Sequence, residues 1–264
     1  MCIVNKDYKD IWFKDSYDYQ YIYHFTTIDS LLKILVTDNF RLSCVNKMND
    51  RNEALATYKR FNNNTYDGEK IRKEDEFRSR TFFGCFTILE ENQSIRDKVS
   101  MWGNYAESCK GVCIEIDKKK LDNKLWNMIY DIGSDSKKVE THIGKFKINY
   151  KKQSKIDETI LNIVNSRLPL YSILENLFNS KSEEWAVENE FRYLVYNNRF
   201  TDMDYFNISN FSNVISKIFV GEMQSEDSIK LLKSIKAKLA PDIEFNININ
   251  GSEKEISSII NECI

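Results

Sequence analysis

The chain has 264 residues, 42% of them hydrophobic, which is enough to bury one large core or two smaller ones. Its 38 Lys and Arg residues nearly balance its 40 Asp and Glu residues, and the formal net charge is -2. This balance excludes the global positive charge typical of proteins that coat nucleic acid, so any contact with nucleic acid needs a local patch.

Six cysteines and two histidines are scattered without the spacing of a zinc site or of a disulfide framework. No stretch is long and apolar enough for a signal peptide or a bilayer span. Two prolines and eight glycines provide neither a Gly-rich phosphate loop nor a recognisable linker. We therefore expect a soluble, cytoplasmic protein with reduced thiols, no bound metal and no membrane partner.

The first half of the chain predicts short strands separated by helices. The strand "YIYHFT" would put His24 and Thr26 on one face, opposite three aromatic side chains, and "TIDSLLKIL" would form a helix capped by Thr27. Further along we expect, in order, the strand "FRLS", the helix "NKMNDRNEALATYKRF", a charged surface excursion over residues 62–80, the strand "RTFFGCFTI", the helix "VSMWGNYAESC" and the strand "KGVCIEIDKKKL".

In the second half, the alternating segment "GKFKINYKK" predicts one strand, and "DETILNIVNSRLPLYSILENLFNS" a helix that breaks near Pro169. Next we expect the long strand "AVENEFRYLVYN", the buried strand "ISKIFVGEM", the helix "EDSIKLLKSIKAKL" ended by Pro241, and a last strand, "DIEFNININ". Because the central strands follow one another closely, a regular β-α-β rhythm is absent. We predict an α+β fold, a single domain over residues 1–264, with a mixed or split central sheet of about six to seven strands flanked by helices.

Three groups of residues are candidates for chemistry, and each also has a purely structural interpretation. His24 stands where a strand meets a helix, and a half-buried histidine bonded to a neighbour explains it equally simply. Trp102 and Tyr105, three residues apart on a helix, suit either a packed core or a ring that stacks on a flat heterocycle.

The third group lies in "EWAVENEFRY". Strand alternation would place Glu188, Glu190 and Arg192 on one face, either as a solvated salt-bridge surface or as a carboxylate held in a cleft by the arginine. Asp50 and Glu53, in "NDRNE", suit helix capping better than metal binding.

Five ordered segments resemble a bacterial family catalogued as domain of unknown function 2971. They are "YHFTTIDSLLKIL", "RLSCVNKMNDRNE", "GCFTILEENQS" through "SMWGNYAESCKGVCIEID", "EEWAVENEFRYLVY" and "ISKIFVGEM". The resemblance covers roughly residues 21 to 223 and leaves residues 224–264 as an extension with a helix and a strand. The family implies no activity by itself.

A second resemblance does imply an activity. The strand "YHFT" running into "IDSLLKIL" is similar to the opening of bacterial DNA-targeting and related ADP-ribosyltransferases, whose active positions are a histidine, a tyrosine and a glutamate in that chain order. On this resemblance the catalytic residues are His24, Tyr105 and Glu190. The corresponding middle strand, "FFGCF", departs from the superfamily because it offers Phe86 and no tyrosine.

The resemblance implies an ADP-ribosyltransferase-like enzyme, with NAD as its substrate, that cleaves the nicotinamide-ribose bond and passes ADP-ribose to a macromolecule or water. Glu188 is the candidate on the acceptor side, with a structural role left open. The same resemblance implies a bacterial toxin or phage-defence effector, to which nucleic acid binds only as a substrate. The residues it assigns to NAD binding are Thr26, Ser43, Phe86, Trp102 and Arg192.

Two other functions stay open at this point. One is a catalytically inactive binding or interaction module on the same fold. The other, weaker on the residues, is a metal-dependent nuclease that uses Asp50, Glu53, Glu188 and Glu190. The transferase hypothesis requires His24, Tyr105 and Glu190 to face one pocket, whereas the nuclease requires a metal for any activity.

Overall fold

The structure is a computed structural model that describes residues 19–47, 78–134, 141–156, 158, 178–198, 200, 203–249 and 251–259. The chain forms two compact units. The first unit contains the described parts of Arg41–Cys85 and Asn127–Phe206, and the second contains those of Asp18–Phe40, Phe86–Trp126 and Asn207–Ile264. The boundary between them falls within the helix Lys118–Ser134 and within three strands: β2 (Asn39–Cys44), β3 (Thr81–Thr87) and β9 (Tyr205–Ser209).

The second unit is built on a mixed sheet. Its strands are β1 (Tyr21–Thr26), β4 (Val112–Asp117), β10 (Ile215–Val220), β11 (Glu244–Ile249) and β12 (Ser252–Glu255). They lie in the order β12-β11-β10-β4-β1, all antiparallel except for the parallel pair β10 and β11. The final residues of β3 continue the order beside β1, where Thr87 is opposite Tyr23.

The first unit contains a second run of paired strands. β5 (Thr141–Lys147) pairs antiparallel with β8 (Glu190–Asn197), which pairs with β3, and β3 pairs antiparallel with β2. Two short strands, β6 (Asn149–Lys151) and β7 (Ser180–Ser182), form a separate parallel pair.

The helices of the described residues include four that exceed one turn. They are α1 (Ile28–Thr37), α2 (Val99–Tyr105), α3 (Lys118–Ser134) and α4 (Glu226–Leu239). α1 begins as predicted, because the Thr27 side chain accepts a hydrogen bond of 3.0 Å from the backbone N–H of Ser30. None of the helices in the described parts of the chain has the length and the apolar character needed to cross a membrane.

The predicted α+β class and mixed sheet are confirmed, and the strand at Tyr21–Thr26 has the predicted faces. Tyr23 and Phe25 pack into an apolar cluster with Trp102, while the ring of His24 on the other face contacts Phe40. The described residues contain twelve strands, which is more than the six or seven predicted.

Two predicted strands are wrong in detail. The segment "GKFKINYKK" is not one strand: β5 pairs with β8, whereas β6 pairs with β7, and between them the N–H of Ile148 donates to Glu190 O. The strand "AVENEFRYLVYN" begins only at Glu190, since residues 183–188 form a 3-10 helix that ends at Asn189, with φ 45° in the left-handed region.

Other elements were not predicted at all, namely α3 and strands β7, β9 and β12. Most of the predicted helices "NKMNDRNEALATYKRF" and "DETILNIVNSRLPLYSILENLFNS", and most of the excursion over residues 62–80, lie outside the described residues. Ser180, the last residue of the second predicted helix, belongs instead to β7.

Candidate functional site

A buried cluster of charged side chains surrounds the start of β8 in the first unit. Glu190 and Arg192 point to the same face of the strand because they are two residues apart. The Nε of Arg192 donates to Glu190 Oε1, and its Nη2 donates to Glu190 Oε2 over 3.1 Å. The two residues are only 4% and 1% exposed. Arg192 therefore holds the Glu190 carboxylate. The alternative prediction of a solvated salt-bridge surface is wrong, because both side chains are buried.

Glu188 joins the cluster by a route that strand alternation does not predict. It is the last residue of the 3-10 helix Glu183–Glu188, and Asn189 then turns the chain into β8. Glu188 is 5% exposed, and its Oε2 lies 2.7 Å from the ammonium of Lys181. The two glutamates are thus neighbours in space although only Glu190 belongs to the strand.

Lys181 links the two glutamates, and no prediction from the sequence included it. It lies on β7, is 9% exposed, and its Nζ is 2.7 Å from Glu188 Oε2 and 3.3 Å from Glu190 Oε2. The same Nζ stands 4.9 Å from the centre of the Trp185 ring. A lysine between two serines in a three-residue strand gives no pattern that would have identified it.

The charges within the cluster shift the pKa values of two of its members, Glu190 and Lys181. Burial alone would raise the pKa of Glu190, but the charge and hydrogen bonds of Arg192, followed by Lys181, lower it to about 2. Burial would likewise lower the pKa of Lys181, yet Glu190 and Glu188 raise it above its ordinary value. Glu190 and Lys181 are therefore both ionised at neutral pH.

A surrounding layer holds these charged groups in place. The Tyr150 hydroxyl accepts a 2.8 Å hydrogen bond from the backbone N–H of Glu190, and burial raises the pKa of that hydroxyl. The Cys85 thiol hydrogen-bonds the Glu190 side chain, and Arg192 Nη1 donates to the carbonyl of Phe178 over 3.3 Å. Tyr150 and Cys85 were not among the predicted site residues.

His24 and Thr26 belong to the second unit and share one face of β1. His24 is half-buried, and its ring meets Phe40 edge-on at 4.9 Å and Phe86 at 6.0 Å between ring centres. Phe86 itself is 2% exposed and stacks on Phe40 at 5.5 Å. Thr26 is buried. Two phenylalanine rings thus pack against the imidazole.

Trp102 and Tyr105, both on α2, have different environments. Trp102 is 4% exposed, donates its indole N–H to the carbonyl of Ile95 over 3.0 Å and packs edge-on against Phe25. Tyr105 is the last residue of the helix and is 41% exposed. Trp102 therefore belongs to the packed core, whereas the ring of Tyr105 is accessible to solvent.

The predicted site residues are divided between the two units. His24, Thr26, Phe86, Trp102 and Tyr105 belong to the second unit. The first unit contains Ser43, exposed on β2, together with Glu188, Glu190 and Arg192.

The described parts of the chain contain no set of metal ligands for the metal-dependent nuclease. Asp50 and Glu53 lie outside the described residues, and Glu188 and Glu190 bind Lys181 and Arg192. Among the described residues there is no group of three or more His, Cys, Asp or Glu side chains placed to hold a metal ion.

Residues 101–193 match a family model described as protein of unknown function (DUF2971). This segment is similar to that family from α2 to Tyr193 on β8, and it includes Tyr105 and the buried cluster but not His24. The match supports the first resemblance over residues 101–193 of the roughly 21–223 that it was expected to cover. A search of curated proteins gives no match to the chain. Neither comparison bears on ADP-ribosyl transfer.

Proposed function

We propose that this chain is an ADP-ribosyltransferase-like enzyme that cleaves the bond between nicotinamide and ribose in NAD. The observation that carries the proposal is the Glu190 carboxylate, which is buried and ionised, with its pKa lowered to about 2, and which Arg192 orients through two hydrogen bonds. A fixed negative charge of this kind stabilises positive charge that develops on a substrate in a dry site.

The reaction is the one that the resemblance to ADP-ribosyltransferases implies, with Glu190 in the electrostatic role. The bond between ribose C1′ and the nicotinamide nitrogen breaks, and both electrons go to the nitrogen, which leaves as neutral nicotinamide. The positive charge that develops on the ribose is stabilised by Glu190. An acceptor hydroxyl or water then attacks C1′ and loses its proton, for which Glu188 is the candidate base.

The resemblance to ADP-ribosyltransferases assigns the other contacts with NAD to residues that include His24, Thr26 and Tyr105. His24 would hydrogen-bond a ribose hydroxyl, with Thr26 beside it on the same strand face. The 41% exposed ring of Tyr105 is available to stack on nicotinamide, a contact in which aromatic rings are favourable.

The saturation of Glu190 favours a second candidate, an inactive binding module in which this cluster is purely structural. A carboxylate offers about four acceptor positions. Arg192 occupies two of them, and Lys181 and Cys85 bond the same side chain. A ribose hydroxyl would have to displace Lys181 or Cys85, so enzymatic activity requires that the cluster rearrange when NAD binds.

Nicotinamide release tests the proposal. Purified wild type and Glu190→Gln are incubated with NAD, with and without cell lysate, and free nicotinamide is measured. We expect turnover by wild type and a loss of about a hundredfold or more in the variant, as when one key electrostatic group is removed. Glu184→Gln is the matched control, because Glu184 lies exposed on the same 3-10 helix.

Two measurements keep the result interpretable. Thermal unfolding of each variant establishes that Glu190→Gln is folded at the assay temperature, and calorimetry measures NAD binding to wild type. Absence of both nicotinamide release and NAD binding would reject the enzyme and favour the binding module. Release that is unaffected by Glu190→Gln would reject the role of Glu190.

A further inference from the structure

Glu115, on β4 of the second unit, is a buried carboxylate that the proposed NAD chemistry does not use. It is 9% exposed. In the described parts of the chain its hydrogen-bond partner is the Tyr23 hydroxyl, 3.2 Å from Oε2, and Tyr23 is its cross-strand neighbour on β1. A neutral hydroxyl does not balance the charge of a carboxylate, whereas buried charges in proteins are normally paired with an opposite charge.

Two cations on the same face of the sheet as Glu115 are paired with other acids. Lys217 on β10 is directly opposite Glu115, but its Nζ lies 3.2 Å from Glu244 Oε2 on the next strand. Arg96, on the same face, has its Nη2 3.7 Å from Glu253 Oε1. Asp117, on the same face of β4, lies 3.9 Å from Lys120 Nζ. Among the described residues, none of these cations forms an ion pair with Glu115.

Aromatic side chains lie on the same face of the sheet as Glu115. Tyr21, Tyr23 and Phe219 share the face of the sheet with Glu115, and the centres of the Tyr23 and Phe219 rings are 6.5 Å apart. The Phe219 ring already attracts cations, since Lys217 Nζ is 5.8 Å and Arg96 Cζ is 5.7 Å from its centre. Ring faces and a carboxylate together form the usual surroundings of a bound organic cation.

We propose that Glu115, with the rings of Tyr21, Tyr23 and Phe219, binds an organic monocation, a guanidinium or alkylammonium group. The cation neutralises the carboxylate and contacts the ring faces. This site is separate from the proposed NAD chemistry and rests on none of its residues.

The test uses N-methylguanidinium as the probe and methylurea as its neutral counterpart of similar shape, each titrated into the full chain by calorimetry. We expect N-methylguanidinium to bind wild type at least about tenfold more tightly than methylurea, because the charge supplies the attraction. In Glu115→Gln we expect the affinity for the cation to fall by about tenfold or more. Glu91→Gln, which changes an exposed acid of the same unit, leaves it unchanged.

A second variant keeps the test decisive if Glu115→Gln folds poorly. Lys217→Met removes the cation that lies opposite Glu115, so it should bind N-methylguanidinium at least as tightly as wild type. The proposal is overturned if wild type does not bind the cation, if Glu115→Gln binds it equally well, or if Lys217→Met loses the binding. No turnover is measured, so the outcome is independent of whether the chain cleaves NAD.

Discussion

Arg192 and Glu190 form a two-bond ion pair within a single strand, although both side chains are at least nine-tenths buried. Their partners are also close by in the chain, because Lys181 completes the cluster from β7 and Glu188 from the adjoining 3-10 helix. Removing one member of such a cluster leaves an opposite charge buried without its partner, and this determines the first two predictions.

Glu190→Gln should lower the free energy of unfolding by about 3–5 kcal/mol, the cost of breaking a buried ion pair by removing one partner. Urea denaturation followed by circular dichroism measures it. Glu184→Gln, on the exposed side of the same segment, should change stability by no more than about 0.5 kcal/mol. A loss below about 1 kcal/mol in Glu190→Gln would mean that the cluster contributes little to the fold.

The pH dependence of the free energy of unfolding should reflect the titration of Glu190. Its pKa falls from the ordinary value of 4.5 to about 2 in the folded chain, so the stabilisation is complete above pH 4.5 and is lost as the pH falls from there toward 2. The total contribution is about 3 kcal/mol. Urea unfolding between pH 6 and pH 2 should therefore show a shallower acid loss in Glu190→Gln than in wild type. Equal slopes would contradict the lowered pKa.

Gly111→Ala and Gly221→Ala should both destabilise the second unit. A Cβ at Gly111 would lie 2.3 Å from the carbonyl oxygen of Thr26, and one at Gly221 would lie 2.1 Å from that of Cys109. Because the obstacle is backbone in both cases, we expect losses of about 1–3 kcal/mol or more. The control is Gly103→Ala on α2, where nothing lies within 4 Å and the helix propensity of alanine favours a gain of up to about 1 kcal/mol.

Thr27→Ala should cost about 1 kcal/mol, because it removes the oxygen that caps the first turn of α1. Thr27→Ser keeps the oxygen and should retain most of the stability. Thermal unfolding of the two variants compares them directly, and equal losses would show that packing of the threonine methyl group matters instead of the cap.

The sequence predicts best what is local or periodic. The alternation of "YIYHFT", the cap at Thr27 and the apolar stripe of α4 each depend on residues within a few positions of one another, and each is present in the structure. The helix α3 was not predicted, because its segment "DKKKLDNKLWNMIYD" begins with a run of charged residues directly after a strand. The short strands β7, β9 and β12 are held by their partners more than by their own composition.

The candidate site was predictable only in part. The pairing of Glu190 with Arg192 follows from strand alternation, but its burial does not, since charged residues are rarely buried and nothing local marks an exception. Lys181 approaches from a different strand, and the left-handed Asn189 changes the direction of the chain between the two glutamates. Both features arise from tertiary contacts that one sequence does not display.

The short separations within the cluster have a consequence for how the chain folds. Lys181 is seven residues from Glu188 and nine from Glu190, and Arg192 is two from Glu190. Closing such small loops costs little chain entropy, whereas most pairings of the second unit join distant segments. We therefore expect the four charges to meet before long-range sheet pairing is complete, so that the segment Lys181–Arg192 orders the start of β8 before β5 pairs with it.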